Sequence, residues 1–204
     1  MQMWPPNAGL PFVSSRWYDS TTLGLYDPVI NVTCDPAGGA QITGLTLVPF
    51  NQWANGPRSF TSMAIDVDNV GASPNILMGI YANTNGQPTR LLHAAPQVTV
   101  AGTGALVSAF PTKITLDPGM YWLAFFMDGA LNIGGWEGDS SAGPSEGFAT
   151  IGNPTPDASG NTLKQFGWEI TGLAFGLPQN LFPTPGGATQ NDGYKMPRVC
   201  LLVE

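Results

Sequence analysis

Arg58-Ser59-Phe60-Thr61-Ser62-Met63-Ala64-Ile65-Asp66-Val67-Asp68-Asn69-Val70 is the longest stretch of the 204-residue chain without glycine or proline. Within it Met63, Ile65 and Val67 alternate with Ser62, Ala64, Asp66 and Asp68. Period-2 alternation gathers the apolar set on one face of a strand and predicts that the charged positions of the other face meet water. A helix needs about 12 or more uninterrupted residues to be worth forming. The longest stretch has the period of a strand and too few others approach that length, so helix bundles, solenoids and coiled coils are excluded, and Rossmann-like folds lose their support.

Outward from this stretch, 26 glycines and 19 prolines divide the chain into short apolar segments. Strands are predicted over 29–34, 42–50, 60–67, 76–81, 97–100, 105–116, 120–127, 166–175 and 198–203. Turn signals lie between them. In Asp117-Pro118-Gly119, proline sets φ at one central position and glycine can supply a positive φ at the next, which predicts a hairpin into Met120-Tyr121-Trp122-Leu123. Asn83-Thr84-Asn85-Gly86-Gln87-Pro88 is a second tip and Asp35-Pro36-Ala37-Gly38-Gly39 a third. This rhythm predicts an all-β, antiparallel β-sandwich over residues 17–204. Residues 1–16 read as an extended arm: Pro5, Pro6, Gly9 and Pro11 prevent helix and central strand, while Trp4, Leu10 and Phe12 offer apolar anchors for attachment to another surface. Residues 128–163 and 177–193 read as long irregular loops.

Composition narrows the function. Seven Lys and Arg against 14 Asp and Glu give a formal charge of −7, with no basic patch to neutralise a row of phosphates, so nucleic-acid binding is not expected. The longest strictly apolar run, residues 120–127, is far short of a membrane span, and the N-terminus lacks the pattern of a secretion signal. Cys34 and Cys200 are too few for a disulfide framework or a metal cluster; they read as two small buried residues, with a single bridge between early and late strands as the alternative.

Two stretches carry a family resemblance. Ile76-Leu77-Met78-Gly79-Ile80-Tyr81-Ala82-Asn83-Thr84-Asn85-Gly86-Gln87-Pro88 with Leu91-Leu92, and Asp117-Pro118-Gly119-Met120-Tyr121-Trp122-Leu123-Ala124, resemble a module of tailed-bacteriophage virion proteins, mostly fibres and spikes. Arg16-Trp17-Tyr18 and Pro197-Arg198-Val199-Cys200-Leu201 resemble that module's first and last strands, so the resemblance covers roughly residues 16–204. It implies a jelly-roll sandwich in a virion assembled in the host cytoplasm, joined to other virion proteins and often oligomeric, a trimer above all. It also implies host attachment. The alternative role is cementing of head or tail proteins. The family supplies no catalytic motif, and the long insertion over 128–163 departs from its pattern.

Chemistry is sparse. His93 is the only histidine, and no nucleophile elbow surrounds it, so it reads as an edge-strand residue without catalytic work. Neither a metal nor a cofactor is expected, since one histidine and two distant cysteines do not make a zinc site. Glycoside cleavage needs two carboxylates about 5–10 Å apart. Glu137, Asp139 and Glu146 share a Gly- and Ser-rich loop, a poor frame for a fixed separation, and no enzyme is expected, a glycan-degrading one being the weakest reading. Binding requires less precision: sugar C–H faces stack on aromatic rings while hydroxyls pair with carboxylates. Trp136 with Glu137 and Asp139 is the first candidate platform for a host-surface polysaccharide, and Trp53 in Asn51-Gln52-Trp53-Ala54-Asn55-Gly56 the second. The competing reading makes each tryptophan a plug at the end of the sandwich.

Overall fold

The structure is a computed structural model that describes residues 17–19, 44–52, 56–69, 74–129, 131–133, 135–137, 167–170, 172–181, 188–191, 195–197 and 199–203. The strands in chain order are β1 (Trp17–Asp19), β2 (Leu45–Gln52), β3 (Arg58–Asn69), β4 (Asn75–Thr84), β5 (Gln87–Thr99), β6 (Gly104–Leu116) and β7 (Gly119–Met127). They continue with β8 (Asn132–Ile133), β9 (Gly135–Glu137), β10 (Gly167–Ile170), β11 (Ala188–Asn191), β12 (Lys195–Pro197) and β13 (Val199–Val203). Among the described residues there is no helix, and every strand pair is antiparallel. The predicted strand over 29–34, Cys34 and the arm residues Trp4, Leu10 and Phe12 lie outside the described residues.

Two main sheets form. The five-stranded sheet has the order β1-β13-β3-β6 with β8 also on β3; the six-stranded sheet runs β11-β10-β2-β7-β4-β5, and β9 pairs with β12 in a separate ribbon. The stretch that opens the sequence reading is β3, central in its sheet between β13 and β6. Met63, Ile65 and Val67 lie with Met78, Ile80, Leu123 and Phe125 of the six-stranded sheet in one apolar cluster. The alternate face of β3 departs from expectation: Ser62 and Ala64 are buried and Asp66 is half-buried, so this face is not open to water there.

The six-stranded sheet is apolar on both faces. Val48, Phe50, Leu123 and Phe125 point into the shared cluster, while Leu45, Leu47, Trp122, Ala124 and Phe126 belong to a second cluster on the outer face. β7, between β2 and β4, is therefore buried at every position from Trp122 to Met127. Burial of both faces removes alternation and leaves a continuous apolar run, which explains residues 120–127.

Several turns and strands differ from the sequence reading. Asn85 and Gly86 have φ of 53° and 80° between the paired Thr84 and Gln87, so Asn83–Pro88 is a two-residue hairpin of the type I′ kind, as read. Asp117-Pro118-Gly119 does not close a hairpin. β6 pairs with β3 while β7 pairs with β2 and β4, so this turn carries the chain from one sheet to the other. A local turn signal cannot state which sheet the next strand joins. The strand expected over 97–100 is the end of the longer β5, whose pairing with β4 shifts register three times. β5 carries Pro88 and Pro96 and closes the order of its sheet, the position where prolines and bulges are tolerated. In β6, residues 110–113, which include Pro111, stand opposite Thr61 alone. The strand expected over 166–175 ends at Ile170, and the loop over 177–193 contains the edge-pairing Asn180 and strand β11.

Candidate functional site

Strand register fixes where the ribbon of β9 and β12 falls. Gln52 at the end of β2 faces Gly119 at the start of β7, whereas Leu45 faces Phe126 near its other end. β7 has nine residues, a span of roughly 27 Å at about 3.4 Å per residue. Trp53 lies outside the described residues. Trp136 follows Ile133 by three positions, and Ile133 pairs with Val67 at the far end of β3. Its strand partner Met196 precedes Val199 by three, and Val199 faces Ile65. Both connections hold the β9–β12 ribbon near the Val67 end of β3, away from the end where Gln52 faces Gly119.

Trp136 and Glu137 are strand residues, which corrects their assignment to a free loop. Trp136 faces Met196 and Glu137 faces Lys195 across the ribbon, with Gly135 opposite Pro197. A main-chain ladder holds their positions more firmly than a Gly/Ser loop would. Asp139 and Glu146 lie outside the described residues.

The segment that leads into the ribbon is fastened twice. Asp128 Oδ1 accepts from the Asn75 amide N–H at 2.6 Å, and Oδ2 from Asn75 Nδ2 at 2.7 Å. Thr99 Oγ1 donates to Asn75 Oδ1 at 2.7 Å, tying β5 into the same clamp. Leu131 and Ile133 are then buried in the shared cluster, two plugs just before β9. Hydrogen bonds to a carboxylate are among the stronger ones, so the chain enters the ribbon from a defined point on β4.

The opposite end is held by other contacts. Gln52 Nε2 donates to Gly56 O at 2.9 Å and to Leu116 O at 3.3 Å, joining the end of β2 to Gly56 and to the end of β6. Trp122 Nε1 donates to Asn83 Oδ1 at 2.9 Å, and Tyr121 Oη donates to Asp117 O at 2.9 Å. Trp122 is fully buried and Tyr121 packs on the shared cluster, so both act as packing anchors. Burial raises the Tyr121 hydroxyl above its usual range, the nearby Asp117 charge adds to this, and the bond to Asp117 O opposes it.

Titratable groups lie apart. His93, on β5 opposite Ile80, packs edge-on to Phe110 with ring centres 6.4 Å apart, and burial lowers its pKa. Glu169 on β10 stands between Thr46 of β2 and Thr189 of β11 in register, and burial raises its pKa. Among the described residues, no three His, Cys, Asp or Glu side chains come together as a metal would require. Cys200 is buried in β13.

The sequence reading missed one feature. Residues 172–181 lie against the outer face of the six-stranded sheet and reach its β5 edge: Leu91 N–H donates to Gln179 O at 3.0 Å and Leu181 N–H to Thr89 O at 2.8 Å. Tyr81 Oη donates to Pro178 O at 2.8 Å, and burial pushes this hydroxyl well above its usual pKa. Leucines at 173, 177 and 181, with an apolar β7 on both faces, are the signals that pointed to it.

No family description matches this chain, and no curated protein matches it.

Proposed function

We propose that the chain is a non-enzymatic structural protein of a bacteriophage particle, a fibre or spike component that binds a host-surface glycan. In this reading its two main sheets form a jelly-roll β-sandwich. The observation that supports it is the meeting of the two resembling stretches: Ile80 faces Leu123, Tyr81 faces Trp122 and Ala82 faces Tyr121 across β4 and β7. Residues 76–88 build the β4–β5 hairpin, and residues 119–124 lie beside it in β7. β1 and β13, the other resembling segments, also pair.

The ribbon that carries Trp136 and Glu137 is the preferred glycan platform, because it stands at one end of the sheets on an anchored connection. Trp136 supplies the stacking surface; Glu137, the next position of the same strand, falls on the alternate face and is not part of that surface. Trp136→Ala removes a contact worth about 1–3 kcal/mol, hence about 5–150-fold in affinity. Melting temperature and binding to bacterial cell-surface polysaccharide are measured on the same preparation. Retained stability with weakened binding is expected; unchanged binding, or a destabilised protein, removes Trp136 from recognition. A density map of the assembled particle tests the virion role separately, and absence of the chain from particles would overturn it whatever the glycan result.

A further inference from the structure

The tip of the β4–β5 hairpin consists of Asn85 and Gly86, which lie between the paired Thr84 and Gln87. Their φ values are 53° and 80°, and Asn85 is the one non-glycine with positive φ among the described residues. Asparagine tolerates that region and glycine favours it, so the pair suits a two-residue turn. It is also a reactive pair. The side-chain carbonyl carbon of an asparagine and the next main-chain nitrogen close a five-membered ring, and glycine brings no Cβ to obstruct the closure.

The structure leaves this pair accessible to that reaction. The closing pair of a two-residue turn uses the main-chain groups of Thr84 and Gln87, so the Gly86 N–H stands outside the ladder. Asn85 is exposed, so water reaches the ring and ammonia can leave. The side-chain bonds that hold the tip are made by its neighbours. Trp122 Nε1 donates to Asn83 Oδ1 at 2.9 Å, Thr89 Oγ1 donates to Ala82 O at 3.2 Å, and Thr84 Oγ1 lies 3.2 Å from Thr89 Oγ1. These bonds fix the base of the tip and none of them involves Asn85.

We propose that Asn85 is a self-modification site, at which the side-chain amide is lost by cyclisation onto the Gly86 nitrogen and the ring then opens to aspartate or isoaspartate. The Gly86 nitrogen gives up its proton and bonds to Asn85 Cγ; the Cγ–Nδ2 bond breaks, and the amide departs with that proton as ammonia. Water then adds to one of the two ring carbonyls. Attack at Cγ breaks the new bond and leaves aspartate on an unchanged main chain. Attack at the Asn85 main-chain carbonyl leaves the chain running through Cβ and Cγ, one atom longer, with the freed carboxylate as side group. Water and the chain itself are the only reactants.

Either product changes the character of the hairpin. From Asn69 to Leu116 the sequence contains no Asp or Glu, with Arg90 and Lys113 as its fixed charges, so the new carboxylate is the first in that whole stretch. Aspartate keeps the turn, because Asp-Gly suits the same geometry. Isoaspartate does not: an extra main-chain atom in a two-residue loop takes Thr84 and Gln87 out of register. The inference stands or falls independently of the virion reading.

The test is ageing of the full-length protein in mildly alkaline buffer, which favours loss of the attacking nitrogen's proton, beside a sample kept unfolded in guanidinium. Trypsin cuts after Arg58 and Arg90, so Asn85 falls in peptide 59–90, apart from the chain's other Asn-Gly pair at 55–56. The readout is the mass gain of NH exchanged for O, placed by fragmentation, with isoaspartate detected by an isoaspartyl methyltransferase. Leaving a turn at a hairpin tip is a local opening, so conversion at Asn85 in the folded protein is expected to be about 5–30-fold slower than in the unfolded chain. Native conversion at least about 10³-fold slower, the ratio for reaction through global unfolding alone, overturns the proposal. Conversion spread equally over Asn69, Asn75, Asn83 and Asn85 also overturns it. Hydrogen exchange separates the two products: the Thr84 and Gln87 amides should exchange faster in the isoaspartate fraction and as in wild type in Asn85→Asp. Unchanged protection in the isoaspartate fraction would overturn the stated effect on the hairpin.

Discussion

Gly79→Ala tests whether the seat of residues 172–181 on the outer face of the six-stranded sheet is shaped by the absence of a side chain. The new Cβ would lie 2.8 Å from Leu177 Cδ1 and 3.0 Å from Leu91 Cδ1, both ends of flexible side chains that can turn aside. It would also lie 3.0 Å from the carbonyl oxygen of His93, which belongs to the β4–β5 pairing and shifts only with the strand. Overpacking of this kind costs about 1–3 kcal/mol. Replacing glycine returns about 0.4–1 kcal/mol by restricting the unfolded chain. The net expectation is destabilisation of about 1–2 kcal/mol, which lowers a urea midpoint by about 0.5–1 M at an m-value near 2 kcal/mol/M. Tryptophan fluorescence in urea reads the midpoint, and hydrogen exchange locates the loss. Exchange at the Leu91 and Leu181 amides should quicken by about 5–30-fold, and β7 amides that exchange through global unfolding should quicken by no more than the loss of global stability. An unchanged or raised midpoint with Leu181 still fully protected would refute the close fit at Gly79.

Gly86→Ala should cost about 1–2 kcal/mol, because φ of 80° lies in the left-handed region that a Cβ disfavours, while Asn85→Gly should be tolerated at its φ of 53°; thermal unfolding of the two variants compares them. Asp128→Ala removes the acceptor for both the amide and the side chain of Asn75 and should cost about 1–3 kcal/mol, read by chemical denaturation, with faster exchange at the Asn75 amide. Glu169 has a pKa raised by burial, so folding favours its neutral form: its contribution is fully present below the ordinary carboxylate pKa and is lost as pH rises through the raised folded value. Glu169→Gln should therefore make stability rise relative to wild type from mildly acidic to neutral pH and leave the two alike in strong acid, measured as denaturation midpoints across that range.

The fold class was legible because it depends on spacing. Alternation in β3 and the Asn85-Gly86 tip are local consequences of backbone geometry, and both occur where the sequence pattern put them. Sheet membership was not legible. Asp117-Pro118-Gly119 has the chemistry of a hairpin turn, yet whether the next strand returns to its neighbour or crosses to the other sheet is decided by long-range packing. The same reason hid the cover on β3, where burial of Ser62 and Ala64 is a tertiary fact that alternation alone cannot carry.

The candidate site shows the same division at finer scale. A tryptophan beside glycines and carboxylates could be found at Trp136, but its pairing with Met196 joins residues 60 positions apart, beyond any local signal. The seat of residues 172–181 was hidden for a different reason. Its floor is small residues from three strands, Ala124, Gly79 and Ala94, which look unremarkable singly and acquire meaning only in register. What the sequence did contain was an excess that a one-sided sheet cannot place: consecutive apolar residues from Trp122 to Met127. Half of them belong to the shared cluster and the rest need another cover, which Leu173, Leu177 and Leu181 supply. A strand that is apolar on both faces therefore implies a second covering element elsewhere in the chain. Here that element is residues 172–181, which the sequence reading divided between the end of a strand over 166–175 and an irregular loop from 177.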